Sequence, residues 1–347
     1  MKTALVIGAT GVSGRALLSH LETLPDWSVI GVARHGPYFP TRVRFVSADL
    51  LDAQSCRESL AELKEVTHVF YTAYQDHADV SRTREPNTRM FANAMTGIAS
   101  LKKLQNVCLL QGTKYYGQHL GPFKTPAKES DPRIPIPHFY YDQEDLLLQL
   151  SEENSWAWSC ARPHVICGVS LGNPLNIIAI LAVYTTLMRE CGRPLTFPGK
   201  PGAFTSIYQA TDAALLARAM VWMASTPACA NQAFNVTNGD FFRYQNLWPV
   251  FAEFFGMEAG GVETVDLASV MSNKEPAWSA IIQRYGLEPH PLSTLVNWNF
   301  ANFAFSNAWD VMSDTTKLRN FGFFDFVDSQ QMFVKYFCAL RDKKIIP

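Results

Sequence analysis

The sequence predicts an α/β protein built on a doubly wound parallel sheet, with a smaller, mainly helical lobe after it. Three observations carry this. Residues 3–7, Thr-Ala-Leu-Val-Ile, form an apolar run at the very start of the chain, as a strand buried on both faces would. Gly8, Gly11 and Gly14 follow at G-x-x-G-x-x-G spacing and open a segment with apolar residues at helical intervals. From there to about residue 170, short apolar runs alternate with helical patterns, the signature of strands joined by crossover helices. Core boundaries of 1–170, with elements returning to the core around 204–240, and a lobe of 171–347 follow from where that alternation loosens.

The first turn has a chemical reading. A strand, a glycine turn and a helix are the context in which a dinucleotide is bound. Gly8 would permit the tight turn, Gly11 the close approach of a pyrophosphate, and Gly14 the packing of helix on strand. The free N–H groups of the helix start then face the phosphates. The second strand, 27–33, ends at Arg34. An acidic residue commonly ends this strand where the ribose 2′-hydroxyl is read. An Arg instead suits a 2′-phosphate, which argues for NADP(H). A third strand is expected at 43–50, where Asp49 and Leu50 would border the adenine, and a fourth at 66–73, in which His68 reads as a satisfied core histidine.

Helices are expected at 54–65 and 83–104, and a fifth strand at 107–111 ending in Gly112-Thr113-Lys114. The Pro- and Gly-rich loop 118–137 is long enough to serve an active site. It leads to a helix expected at 142–152 and a strand at 156–163. Further helices are expected at 176–190, 210–223 and 246–255, and a strand at 233–238.

Composition narrows the classes. With 347 residues and a net charge of −1, the chain has ample core and no basic field for nucleic acid. No apolar run approaches a membrane span, and neither a signal peptide nor a lipidation pattern is recognisable, so a cytoplasmic protein is expected. The seven cysteines have no metal-like spacing and read as reduced thiols, and the eight histidines suggest no metal site. The 23 Phe, 12 Tyr and 8 Trp concentrate in the second half and could line an apolar pocket.

A reductase on such a sheet needs a hydrogen-bond donor for the reacting oxygen and a cation for the ribose. Lys114 stands at the carboxyl end of a central strand, where ligands bind. Tyr140 and Tyr141 stand at a helix start, where the dipole and a nearby ammonium would lower a phenol's pKa. Asp142, Glu144 and Asp145 read as first-turn carboxylates that complement the helix dipole, not as a catalytic pair. His164 reads equally well as a group beside the nicotinamide or as a backbone-tied histidine, and Asn176 as a helix cap.

At this point a family becomes recognisable. The GATGVSG turn, Arg34, Asp49-Leu50 and the strand order resemble the extended short-chain dehydrogenase/reductases, a Rossmann-fold group. The usual Tyr-x-x-x-Lys is missing, because Glu144 stands four residues after Tyr140 and Asp145 four after Tyr141. Instead GTKYYG, GPF, HFYYDQED, ARPHVICG and AFNVTNGD resemble the progesterone 5β-reductase and iridoid synthase family over nearly the whole chain. Members of that family reduce the C=C bond of enones and enals with NADPH. The resemblance implies catalytic roles for Lys114 and Tyr140, with Tyr141 in reserve. It implies cofactor contacts at Gly8, Thr10, Gly11, Val12, Gly14, Arg34, Asp49, Leu50, Thr72, Ala73, Gln111, Lys114, Pro163 and Val165, and substrate contacts at Phe123, Tyr74 and Phe204. The expected substrate is a small apolar α,β-unsaturated carbonyl compound, with no nucleic-acid or membrane partner and room for a homodimer. A carbonyl reductase or sugar-nucleotide enzyme of the same superfamily, or a non-catalytic NADP sensor, are the alternatives.

Overall fold

In the computed structural model, which describes residues 1–77, 82–172 and 174–347, the strand–glycine–helix start is β1 (Lys2–Ile7) followed by α1 (Val12–Leu21). Next come β2 (Trp27–Ala33), β3 (Arg44–Ser47), α2 (Ala53–Leu60) and β4 (His68–Tyr71). They are followed by α3 (Arg84–Ile98), β5 (Asn106–Leu110), α4 (Phe139–Asn154) and β6 (Ala157–Pro163). Short strands β7 (Val165–Cys167), β8 (Leu195–Phe197), β9 (Ala210–Asp212), β10 (Gln232–Val236) and β11 (Ala259–Val262) complete the set.

Seven strands form one parallel sheet in the order β10-β6-β5-β4-β1-β2-β3. Register runs without slippage along β1 and β2, from Lys2 opposite Trp27 to Ile7 opposite Val32. Leu5 and Val6 pack against opposite faces of the sheet, so both faces of the strand are apolar. One face carries α2, α3 and α4. The other carries α1 and the helix at Ala213–Ser225. Strand order reverses between β1 and β4, and the crevice at that switch point is where open parallel sheets bind ligands.

After β7 the chain builds a separate apolar core. The helix α5 (Ile177–Glu190) is buried along twelve of its residues, and Asn176 caps it, accepting from Ile178 N at 3.0 Å. The aromatic wealth of this half settles here. The rings of Phe197, Tyr244, Trp248 and Phe305 lie 5.1 to 6.5 Å apart, mostly edge to face.

Several expected boundaries move, for local reasons. Residues 210–212 are not the first turn of a helix but strand β9, paired with β7. Asp212 caps the helix α7 (Ala213–Ser225) that follows the short α6 (Pro201–Thr205), accepting from Ala214 N at 2.8 Å and Leu215 N at 2.9 Å. α2 stops at Leu60 so that Leu63 and Val66 can turn into the core. α4 begins at Phe139, three residues earlier than expected, because His138 caps it, accepting from Tyr140 N at 3.1 Å. That places only Asp142 in the first turn; Glu144 and Asp145 fall in the second. His68 is a core residue, its Nδ1 2.8 Å from Thr67 Oγ1. Among the described residues no helix is long and apolar enough to cross a membrane.

Candidate active site

A cavity of about 660 Å³ opens above the carboxyl ends of the sheet strands. Its floor is the glycine turn. Gly8 adopts φ +87°, and a Cβ there would stand 2.7 Å from Ala73 N, so both its conformation and its neighbour require glycine. A Cβ on Gly14 would stand 2.2 Å from Gly8 O, so Gly14 sits beneath the cavity, holding α1 close to β1, and does not line it. Gly11 has an ordinary extended conformation and caps α1 without a side chain. No acidic residue occupies the first turn of α1, and Val12 and Ser13 line the cavity. The free N–H groups and positive dipole end of α1 therefore face open space, which fits a pyrophosphate.

The other expected cofactor residues converge on the same cavity. Thr10, Arg34, Asp49, Leu50, Thr72 and Ala73 line one half, and Gln111, Lys114, Pro163 and Val165 the other. Arg34 is exposed and makes no ion pair among the described residues. Thr72 Oγ1 donates to Ile7 O at 2.9 Å, which leaves its oxygen able to accept.

The two tyrosines separate. Tyr140 lines the cavity and lies beside Gly112, whose added Cβ would stand 3.2 Å from the phenol oxygen. Tyr141 points the other way. Its hydroxyl donates to Tyr115 O at 2.6 Å and accepts from Ile134 N at 3.1 Å, inside a cluster with Tyr115, Tyr116 and Ala127. Successive helical residues are about 100° apart, so only one of the pair can face the cavity. The reserve role for Tyr141 is therefore set aside. So is the expectation of a lowered pKa: burial pushes the Tyr140 phenol well above its ordinary value, and it stays protonated. Lys114 lines the cavity with its Nζ 5.8 Å from the centre of the Tyr74 ring and 5.4 Å from that of Phe303. Burial lowers its pKa, and the Asp76 carboxylate partly offsets that.

Of the expected substrate residues, Tyr74 lines the cavity. Phe123 does not: it packs against the Tyr115–Tyr141 cluster and the second core. Phe204 does not either, because its ring packs against that core, tilted 42° to Phe197 with the ring centres 5.0 Å apart. Of the long loop 118–137, only Gln118 reaches the cavity. The rest folds back on the tyrosine cluster, with Ala127 N donating to Met312 O at 2.9 Å.

Glu144 is no dipole-complementing surface carboxylate. It is buried, accepting from Arg162 Nη2 at 2.8 Å, from Arg133 Nη2 at 2.6 Å and from Tyr115 Oη at 3.0 Å. Arg162 is 2% exposed, lies 3.4 Å over the Tyr115 ring, and donates through Nε to Gln111 Oε1 at 2.8 Å. Gln111 in turn donates to Tyr140 O at 3.2 Å. A saturated ionic network thus stands directly behind the cavity wall. Asp142 and Asp145 are satisfied by Arg84 and Arg133 respectively.

Sequence reasoning missed several cavity residues. Tyr38 reaches across it: its hydroxyl donates to Thr10 O at 2.6 Å and lies 2.9 Å from Ser170 Oγ. Phe300, Phe303 and Tyr208 come from the second half, brought in by tertiary packing that leaves no periodic trace. Gln143 was findable, since it lies three residues after Tyr140 on the same helical face. His164 lines the cavity, with Nε2 2.8 Å from Ser313 Oγ and Nδ1 without a partner among the described residues. Burial pushes its pKa down to about 3, so it is neutral.

The fold is that of the extended short-chain dehydrogenase/reductases, a Rossmann-type sheet with its cavity at the switch point. Among solved structures, UDP-glucose 4-epimerase of Thermotoga maritima superposes with a TM-score of 0.70 at 16% identity, covering 98% of this chain and 99% of that one. That likeness concerns the fold alone. The model of the PRISE-like Rossmann-fold domain family matches residues 45–347. (S)-8-oxocitronellyl enol synthase of Catharanthus roseus is 34% identical over 99% of this chain and 92% of its own length. 3-oxo-Delta(4,5)-steroid 5-beta-reductase of Arabidopsis thaliana is 33% identical over 99% and 93%. The chain belongs to the progesterone 5β-reductase and iridoid synthase family.

Proposed function

We propose that this protein is an NADPH-dependent ene-reductase that reduces the C=C bond of small, apolar α,β-unsaturated aldehydes and ketones. The observation that carries the reading is the pairing of Tyr140 and Lys114 on one cavity above the glycine cradle, while the position of the lysine in the usual Tyr-x-x-x-Lys holds a buried glutamate, Glu144, committed to Arg162. Its relatives named as an enol synthase and a steroid 5-beta-reductase point the same way.

Gly8, Gly11 and the start of α1 would hold the pyrophosphate, Arg34 the 2′-phosphate, Asp49 and Leu50 the adenine, and Lys114 the nicotinamide ribose. Bound there, NADPH would supply the hydride for the β-carbon. Tyr140, kept protonated by burial, donates its O–H to the carbonyl oxygen and stabilises the negative charge that develops there. The partly buried Lys114 ammonium adds positive potential inside the cavity, where charge acts more strongly than in open water. Protonation at the α-carbon comes from solvent.

The test is NADPH oxidation against enals, cyclic enones and saturated ketones, with products identified by mass and NMR. Saturated aldehydes or ketones are expected from the unsaturated substrates. Allylic alcohols with the C=C bond intact would replace the reading by carbonyl reduction.

A further inference from the structure

Both main-chain groups of Tyr140 are held by side chains. Its carbonyl accepts from Gln111 Nε2 at 3.2 Å, and its N–H donates to His138 Nδ1 at 3.1 Å. The second grip has no backbone substitute. Tyr140 is the second residue of α4, and the first N–H groups of a helix find no carbonyl within it. Tyr141 N and Asp142 N both donate to His138 O, so the main chain of His138 serves the next two residues and its ring serves Tyr140. That ring stacks on Phe139 with centres 4.5 Å apart and lies 4.8 Å from the ring of Tyr140. It stands beside Tyr140 without lining the cavity.

The choice of a histidine has a physical consequence. A ring nitrogen that accepts from an N–H carries no proton, so the imidazole is neutral, with its proton on Nε2. Burial pushes its pKa down to about 3, the His119 ring and the cations Lys114 and Arg84 add to that, and Asp142 opposes it. A carboxylate is among the strongest caps and also complements the helix dipole. At this position it would stand next to the ring whose hydroxyl is assigned to the developing enolate, and would oppose that charge. The position thus answers two demands at once: an acceptor for Tyr140 N, and no negative charge.

Building on the proposed reduction, we infer that His138 is a positioning residue for the reaction, a neutral acceptor that fixes Tyr140 against the cavity without bringing charge to it. With the imidazole removed, only the Gln111 grip on the Tyr140 carbonyl remains. A hydroxyl that stabilises charge in the transition state loses its effect on kcat when it is misplaced, and KM moves less.

The experiment compares His138→Ala, His138→Asn and His138→Asp in the full chain with NADPH added. Three quantities are read: the urea midpoint, the hydrogen exchange of the Tyr140 amide by NMR after tyrosine-selective labelling, and kcat and KM for C=C reduction of one enone. His138→Ala should speed exchange of that amide about tenfold. Its kcat should fall about tenfold or more while KM stays within about threefold. His138→Asn, a neutral cap, should return exchange and kcat to within about threefold of wild type. His138→Asp should match Asn in urea midpoint and amide exchange, yet turn over at least about tenfold more slowly. A cap that served the fold alone would rank turnover by stability. Equal turnover of Asp and Asn would therefore overturn the inference, as would an unchanged Tyr140 amide in His138→Ala. If the Ala variant does not fold, the comparison of Asn with Asp decides. If wild type reduces no C=C bond, the reductase reading fails, and the amide exchange still decides whether His138 holds Tyr140, so the two claims fail separately.

Discussion

The two faces of α4 are built from adjacent residues and opposite principles. On one face, Tyr140 and Gln143 look into the cavity. On the other, Tyr141 and Glu144 look into the protein, where every strong hydrogen-bonding group is matched: Tyr141 by Tyr115 O and Ile134 N, Glu144 by two arginines and a tyrosine. The difference teaches where function lies. A saturated polar network stiffens a helix and has nothing left to offer a ligand. A face whose hydroxyl and amide groups retain capacity is one whose partners arrive from outside. The saturated face also serves the open one, because Arg162 holds Gln111, and Gln111 holds the carbonyl of Tyr140.

The sharpest way to break this comparison is to cut the network. Arg162→Met should fill the same space but leave the Glu144 carboxylate, 5% exposed, with the more open Arg133 as its remaining cation and Tyr115 as its remaining neutral donor. Removing one member of a buried ion pair costs about 3–5 kcal/mol, read as a drop in the urea midpoint at unchanged slope. A loss below about 1 kcal/mol would mean that the network is ornamental and that packing alone fixes α4.

Next in size is the open face. Tyr140→Phe keeps the ring and removes the donor. If the phenol stabilises charge that appears only in the transition state, turnover should fall about 10²–10³-fold while KM moves little. Thermal stability should be unchanged, since the hydroxyl contributes no bond to the fold. A Tyr140→Phe protein that loses stability, or that keeps its turnover, would place Tyr140 with its saturated neighbour.

How much of this was legible beforehand follows the same division. The glycine turn, the strand order and the convergence of Arg34, Asp49, Thr72 and Lys114 on one cavity were readable, because each sits at a strand end whose position the alternation of elements dictates. The facing of Tyr140 against Tyr141 was not, since it hinges on where α4 begins, and His138 as the cap moved that start by three residues. Glu144 misled for the same reason: a carboxylate near a helix start suggests a dipole, and nothing local announces Arg162 on a distant strand. Phe123 and Phe204 failed as cavity residues because their matches to a motif or a composition say nothing of rotation into the core. The length of the loop 118–137 marks it as a functional segment, but nothing in its sequence singles out Gln118 as the residue that faces the cavity.

A smaller effect belongs to the mouth of the cavity. Arg34 is exposed and unpaired among the described residues, so its removal leaves no buried group stranded. Arg34→Ala should weaken NADPH by about 1.5–3 kcal/mol, the range for a charge-assisted contact, and should leave NADH almost unchanged. Titration of both cofactors checks it. Equal losses for the two would place Arg34 with the groups that maintain the fold.

The smallest expected change sharpens the comparison most, because it alters one oxygen on the saturated face. Tyr141→Phe removes a hydroxyl that at once donates to Tyr115 O and accepts from Ile134 N. Both groups then lose a partner in a half-buried setting, at a cost of about 1–3 kcal/mol. The ring remains edge to face with Tyr115 at 5.0 Å, so the cluster should not collapse. Since Tyr141 touches no part of the cavity, turnover at a temperature where the variant is fully folded should stay within about threefold of wild type. Stability and turnover should thus move in opposite patterns in the two phenylalanine variants, each losing a single oxygen from neighbouring positions. The measurement is a paired one: urea unfolding and C=C reduction on the same preparations of Tyr140→Phe and Tyr141→Phe. A Tyr141→Phe enzyme that is stable and inactive would reverse the assignment of the two faces, and with it the identity of the catalytic tyrosine.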